Sequence, residues 1–182
     1  MKPYKTLSYF LLLVALCCSL RSQTKPAESQ SESARKFVQE FYDWYAPGVA
    51  KATGEHKGVD WETRASDFDP TLVRALREDE EAEAKAEGEF VGIDFDPFLA
   101  SQDPCAPYKA RDVVLKGNHY FVAVDIACEH FTATSKPTVI AELVQNNGHW
   151  IFLNFHYPPP TKDDLLNILK TLSNLRKQPS KK

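Results

Sequence analysis

The sequence predicts an α+β fold, and two patterns support this prediction. Gly117-Asn118 and Asn147-Gly148 each separate two runs rich in β-branched and aromatic residues, as β-hairpin turns do, because these turns need positive φ. Apolar residues recur at helical spacing in residues 34–45 and again in residues 165–175, which is typical of amphipathic helices. We therefore expect two antiparallel hairpins in residues 111–157, with helices on either side that cover their apolar surface.

Residues 1–22 are predicted to be a secretory signal peptide. A basic N-terminus precedes an apolar run at residues 7–18, and a run of about a dozen residues is too short to cross a bilayer, which takes roughly 20. A lipid anchor on Cys17 or Cys18 is left open as the alternative to simple cleavage. In either form the protein is expected outside the cytoplasm, periplasmic or secreted.

Three further segments are expected after the signal peptide. Residues 23–32 are polar and lack a period, which favours a flexible linker. Residues 33–160 should form one domain, and residues 161–182 a C-terminal amphipathic helix with a basic tail. Thr161 and Asp164 resemble the capping box of that helix.

Capping residues predict the boundaries of the two earlier helices. Ser29 or Ser33 should cap the first helix, and Pro47 should end it. Asp69 is a good N-cap for the second helix, because Pro70 then occupies the first helical position. The stretch between these helices is expected to be a loop with at most a short helix.

The charge of the chain disfavours nucleic acid as a partner. Without the signal peptide the chain carries 19 basic and 25 acidic residues, a net charge of −6, whereas nucleic-acid binding needs clustered Lys and Arg to neutralise phosphates. Seven acidic residues lie between Glu78 and Glu89. We interpret them as a solvated helix face, with docking of a basic partner as the alternative.

Cys105 and Cys128 are the cysteines that follow the signal peptide, and export permits a disulfide between them. If Gly117 and Asn118 are the two turn residues, Cys128 lies opposite Pro107, two residues from Cys105. The sequence therefore predicts a disulfide, with two unpaired thiols as the alternative.

The aspartates of residues 94–103 allow a calcium site, but the calcium-loop pattern is not met, because Phe98 and Leu99 occupy positions that need a ligand or glycine. An Asp before Pro more often caps a turn. We therefore expect Asp96 to cap a short turn, and we expect neither a metal nor a cofactor.

Three stretches together resemble the nuclear transport factor 2-like superfamily. These are FVQEFYDWY at residues 37–45, DFDPFLASQD at residues 94–103 and NGHWIFLNFHY at residues 147–157. The likeness is closest to an exported bacterial family of unknown function within the superfamily, and it covers about two-thirds of the chain, residues 33–157. It implies a cone-shaped, curved antiparallel sheet wrapped on N-terminal helices, often with a pocket at the open end. It implies no particular activity, since that fold hosts isomerases, dehydratases, hydrolases and binding modules.

The last hairpin is apolar on both of its faces. Regular pairing about Asn147-Gly148 places Trp150, Phe152, Asn154 and His156 on one face, and Ile151, Leu153, Phe155 and Tyr157 on the other. We expect the Trp150 face to join the helical core. The Ile151 face should then be covered by the C-terminal helix or by a second subunit of a homodimer.

The function predicted from the sequence is a non-catalytic binding module that holds a small apolar ligand or a protein partner in the cone. Aromatic side chains with a few polar tips suit such a site, and the residues expected to line it are Trp44, Tyr45, Tyr120, Trp150, Asn154 and His156.

Two alternatives to this function stay open. One is a small-pocket enzyme that uses His156 with an acid such as Glu142, although the sequence shows no catalytic constellation and no catalytic residue is assigned. The other is an inhibitor or immunity-type protein that docks a basic partner on its acidic helix.

Overall fold

The structure is a computed structural model, and it describes residues 29–51, 59–86, 91–129, 136–159 and 163–177. The predicted signal peptide and most of the predicted linker lie outside these residues. In chain order the elements are helix α1 (Gln30–Ala50), a 3₁₀ helix (Trp61–Asp67), helix α2 (Pro70–Lys85), strands β1 (Tyr108–Lys116), β2 (His119–Ile126), β3 (Val139–Asn146), β4 (His149–Tyr157) and β5 (Asp163–Asp164), and helix α3 (Leu165–Arg176).

The fold is α+β, with a curved, open antiparallel sheet in the order β1-β2-β3-β4-β5 packed on the N-terminal helices. Both predicted hairpins are confirmed. Lys116 pairs with His119 and Asn146 with His149, so each turn has two residues. Gly117, Asn147 and Gly148 have φ of 64°, 50° and 84°, the positive values that such turns need. The short strand β5, which extends the sheet beyond β4, was not predicted.

The helix caps are partly as predicted. Ser29 caps α1 through the amide of Glu32, and Asp69 caps α2 through the amide of Thr71. Pro47 does not end α1, which continues to Ala50. The predicted capping box of α3 is also wrong in its register, because Asp164 is itself the N-cap and accepts from the amide of Asn167.

A β-bulge in β4 changes which residues face the core. Leu143 pairs with Phe152, but Glu142 pairs with Asn154, so Leu153 is the extra residue and the alternation of side chains inverts after it. Trp150 and Phe152 face the core as predicted. Beyond the bulge the prediction is wrong: Phe155 and Tyr157 join the core, whereas Asn154 and His156 move to the opposite side, which we call the outer face of the sheet.

The core contains residues from every helix and from the inner face of the sheet. Phe41 of α1 contacts the rings of Phe68, Phe98 and Phe152 at centroid distances of 5.0–5.7 Å. From α3, Leu165 and Leu169 are buried in the same cluster. The C-terminal helix therefore shares the core of the domain, although the sequence placed it in a separate segment.

The predicted disulfide between Cys105 and Cys128 is confirmed. Their Cα atoms lie 6.2 Å apart, and the bridge links residues separated by 23 positions in the chain. It ties the segment before β1 to the end of β2. A bulge between Ala110 and Val113 shifts the hairpin by one residue from the regular register, but this shift leaves the two cysteines within bonding distance.

We expect the double variant Cys105→Ser/Cys128→Ser to lose about 3 kcal/mol of folding free energy, because the bridge restricts the unfolded chain. Urea denaturation of the oxidised protein and the variant measures this loss. Intact mass before and after alkylation, without reductant, is the control for the bridge itself. In a protein that begins at Gln23, two alkylated thiols per chain, or equal stability of the two proteins, would contradict the expectation.

Candidate functional site

The six residues predicted to line a cone do not converge on one cavity. The interior between α1 and the sheet holds packed rings, since Phe41, Phe98, Phe152 and Phe155 are fully buried and neighbouring centroids lie 5.0–5.6 Å apart. Side chains therefore occupy the space in which a cone ligand would lie.

Trp44 and Tyr45 have structural partners. The Trp44 ring is partly buried, and the Arg64 guanidinium lies 5.2 Å from its centroid. Tyr45 is buried and donates its hydroxyl to Asp96 Oδ2 at 2.8 Å. Tyr45 lines a cavity of about 180 Å³ with Trp61 and Phe98, and none of the other five predicted residues lines that cavity.

Asp96 caps the turn that begins at Pro97, as predicted from the sequence. Its Oδ1 accepts from the amides of Phe98 and Leu99 at 3.0 and 2.9 Å. Burial raises the pKa of the Asp96 carboxyl above its usual value, and this effect outweighs the hydrogen bonds from Tyr45 and the two amides, which lower the pKa. Burial and the neighbouring carboxylate together raise the pKa of the Tyr45 phenol.

Because folded Asp96 binds its proton more tightly than unfolded Asp96, its contribution to stability is lost as pH rises above the usual Asp pKa of about 3.9. We expect the stability of Asp96→Asn, relative to the unmodified protein, to increase between about pH 4 and neutrality. Urea unfolding at several pH values measures this difference, and Asp94→Asn, which removes an exposed carboxylate of the same segment, is the matched control. A difference that stays flat or falls with pH would contradict the assignment.

Tyr120, Trp150 and Asn154 also make contacts that stabilise the fold. Tyr120 and Trp150 are in edge-to-face contact at 4.9 Å, and Trp150 donates its indole N–H to Ser33 Oγ at 3.0 Å. Asn154 donates to Asp164 Oδ1 at 2.8 Å and accepts from the amide of Leu166 at 3.1 Å. Asn154 thus joins β4 to the start of α3.

On the outer face, His156 is part of a cluster with Glu142 and His119. Glu142 Oε2 lies 2.6 Å from His156 Nε2, and its Oε1 lies 2.5 Å from His119 Nδ1. The Glu142 side chain is 13% exposed, and the two histidines are 33% and 38% exposed. The ring of Phe121 lies 5.7 Å from that of His156. The pairing of β2 with β3, in which Phe121 lies opposite Glu142, brings these residues together.

The cluster holds two imidazoles in fixed orientations. A carboxylate can only accept, so each histidine donates one N–H to Glu142. A histidine oriented in this way by a carboxylate is a common arrangement in catalytic sites. The group has the composition of a metal site, yet no group of His, Cys, Asp and Glu within the described ranges has the geometry to hold a metal ion.

A groove of about 800 Å³ lies beside this cluster, between α2 and the outer face of the sheet. Its floor consists of Val144, Ile151 and Leu153, which are partly buried. Its wall includes Phe68 and Val73. Of the two covers expected for the Ile151 face, α3 is the wrong one, because α3 packs on α2 and on the edge of the sheet near Asn154. A second subunit as the cover stays a prediction.

Charged side chains form the rim of the groove. Arg77 is held by Glu62 at 2.5 Å, and exposed Glu81 pairs with Lys85. Arg74 and Glu78 also line the groove, and in the part of the chain that the structure describes neither has an ion pair. The rim therefore offers one guanidinium that a ligand can bind.

Sequence reasoning identified the outer face but not the groove. The apolar residues Ile151 and Leu153 indicated that this face is covered, because the solvent-facing side of an antiparallel sheet should carry polar residues. The approach of Val73 and Arg74 to these residues depends on the packing of α2, which no local pattern reports.

No helix in the described ranges has the length and hydropathy to cross a membrane. No family model matches the chain, and neither a curated protein nor a solved structure matches it.

Proposed function

We propose that the protein is an exported, non-catalytic binding module that holds a small, mainly apolar ligand with one acidic group in the groove between α2 and the outer face of the sheet. The observation that carries this proposal is the groove itself, with its apolar floor and its unpaired Arg74 at the rim. The ligand is thus expected on the outer face and not in the interior, which is filled by aromatic rings.

The size and floor of the groove favour a small molecule. Ligand pockets are mostly apolar and have volumes of roughly 300–1,000 Å³, and this groove has about 800 Å³. Val144, Ile151 and Leu153 lie on adjacent paired strands, so their positions are fixed before a ligand binds. A preformed apolar floor reduces the ordering that binding requires.

The rim favours an acidic group on that ligand. Arg74 can form a charge-assisted hydrogen bond with a carboxylate, and such bonds are stronger than neutral ones. Glu78 and Glu81 on the same rim repel further negative charge. A ligand with a single carboxylate and an apolar body fits both features.

A small-pocket enzyme is the second candidate, and the Glu142 cluster favours it. His156 is oriented by Glu142, and Glu142 is two residues along β3 from Val144 in the groove floor. The variant His156→Ala separates the two functions, because a binding module keeps its affinity for the ligand whereas an enzyme loses turnover. Docking of a basic partner on α2 has less support, because Asp79 of the acidic run is buried and paired.

Export and the cone-shaped sheet of nuclear transport factor 2-like proteins are part of the same proposal. Export is supported by the N-terminal apolar run and by the disulfide. The family is supported by the order of elements, in which a long aromatic helix precedes a curved antiparallel meander.

Binding of a fluorescent fatty acid, dansylated undecanoic acid, tests the function. We expect Leu153→Gln to weaken binding about tenfold, because the amide places polar atoms in the apolar floor. Leu175→Gln is the matched control, since Leu175 is exposed on α3 and does not line the groove.

The charge at the rim is tested with a second pair of variants. We expect Arg74→Gln to weaken binding of the acid about fivefold and to leave binding of the corresponding dansylated alcohol unchanged. Arg35→Gln on α1, where Arg35 pairs with Glu32, is the control. Equal binding by all of these variants, or no binding by the unmodified protein, would overturn the proposed function.

A further inference from the structure

Strand β1 is an outer strand of the sheet, and only half of its open edge is covered. The Gln39 side chain of α1 accepts from the amide of Ala110 at 2.8 Å and donates to the carbonyl of Tyr108 at 3.1 Å. Gln39 thereby takes the place of a neighbouring strand along the first half of β1. The second half, after the bulge at Arg111 and Asp112, has no such cover.

The backbone groups of Val113 and Leu115 point toward this uncovered edge. The C=O of Tyr108 and the N–H of Ala110 point to Gln39, away from β2. Because the bulge adds one residue to β1, the residues whose backbone groups point away from β2 shift by one position after it. Val113 pairs with Val122. Val122 is two residues from Val124, and the carbonyl of Val124 accepts from the amide of Thr138 on the side of β2 that faces away from β1. The backbone groups of Val122 therefore also point away from β1. Pairs of this kind exchange no backbone hydrogen bonds within the hairpin. In the part of the chain that the structure describes, no group bonds to the outward N–H and C=O of Val113 and Leu115.

The uncovered half also exposes apolar side chains. Val114 is 50% and Leu115 is 54% exposed, which is unusual among the large hydrophobic residues described. An exposed edge with apolar side chains is a template for strand pairing. Asp112 and Lys116 flank the two exposed residues.

We infer that a second copy of this chain pairs with β1 along residues 112–116, in antiparallel orientation about a two-fold axis at Val114. In this register Val113 lies opposite Leu115 of the second copy. Both residues direct their backbone groups outward, so the two symmetric pairs form four hydrogen bonds. The two five-stranded sheets then become one continuous ten-stranded sheet.

Charge complementarity selects a second copy as the occupant of this edge. The sequence Asp112-Val113-Val114-Leu115-Lys116 carries an acid and a base at equal distances from Val114. Antiparallel self-pairing therefore sets Asp112 of each copy opposite Lys116 of the other, on the outer face. Lys116 already lies on this face, since its Nζ is 5.0 Å from the ring centroid of Phe121. Any shift of register separates both pairs of opposite charges, so the charges also fix the register.

Sedimentation velocity over a range of protein concentrations tests the inference. Because the interface is small, we expect a dimer that dissociates on dilution. Lys116→Asp and Asp112→Lys each set two like charges opposite one another, and each should raise the dimer dissociation constant about tenfold. The double variant Asp112→Lys/Lys116→Asp restores opposite charges and should restore the dimer.

The double variant keeps the test valid if a single variant folds poorly, and circular dichroism monitors folding in all of them. A monomer at every concentration overturns the inference. A dimer that the single variants do not weaken also overturns it, because the copies then meet through another face. The groove variants Leu153→Gln and Arg74→Gln should dimerise normally, so a failure of the proposed ligand binding is distinguishable from a failure of the dimer.

Discussion

Replacing Asp79 by Ala is expected to destabilise the protein by about 4 kcal/mol, which is typical when one partner of a buried ion pair is removed. Asp79 is 5% exposed. Its Oδ1 accepts from Arg176 Nη1 at 2.5 Å, and its Oδ2 accepts from the amide of Ile93 at 2.9 Å. The variant leaves the partly buried Arg176 guanidinium without its counter-charge and also leaves that amide without its acceptor. Urea denaturation at neutral pH measures the loss.

Two controls separate the buried pair from a general effect of charge. Glu81→Ala removes an exposed acid of the same helix that pairs with Lys85, and it should cost less than about 1 kcal/mol. The double variant Asp79→Leu/Arg176→Met removes both charges, so it should recover much of the lost stability. Equal effects of Asp79→Ala and Glu81→Ala would contradict the role of Asp79 in joining α2 to α3.

Replacing Phe41 by Ala should cost about 4 kcal/mol, because it removes the ring at the centre of the interior and leaves a cavity. Phe41 is fully buried, and its ring is in contact with those of Tyr42, Trp44, Tyr45, Phe68, Phe98 and Phe152. Thermal and urea denaturation report the loss. Phe121→Ala is the matched control, since Phe121 is partly buried on the outer face and its removal should cost about half as much or less.

The stability of Phe41→Ala also tests whether the interior could be a ligand site. If the interior were a ligand cavity and not a packed core, Phe41→Ala would enlarge that cavity at little cost in stability. A loss no greater than that of Phe121→Ala would therefore contradict the packed interior.

The sequence predicted those parts of the fold that depend on local chemistry. Asn147-Gly148 needs positive φ wherever it stands in the chain, and Asp69 before Pro70 caps a helix through its immediate neighbours, so these elements are found as predicted. The bulge at Leu153 depends on how β3 and β4 pack against the core, and no residue pattern in the sequence predicted it. That single inserted residue moved His156 from the predicted interior site to the outer face.

The candidate site was predictable only in its composition. The apolar character of Ile151 and Leu153 predicted a covered outer face, but not that α2 would form the wall. Asp79 was interpreted as part of a solvated acidic face because its partner Arg176 lies 97 residues away. The cluster around Glu142 depends on the register of β2 against β3, which the residues between these strands do not fix.

Methyl NMR during titration with dansylated undecanoic acid tests most directly whether the groove is the ligand site. The groove presents the methyl groups of Val73, Val144, Ile151 and Leu153, whereas Leu99 and Val122 report on the interior and Leu175 on an exposed helix surface. We predict that the largest shift changes occur at the four groove residues and saturate together. The largest changes at Leu99 and Val122, or no saturable change at the groove, would contradict the account.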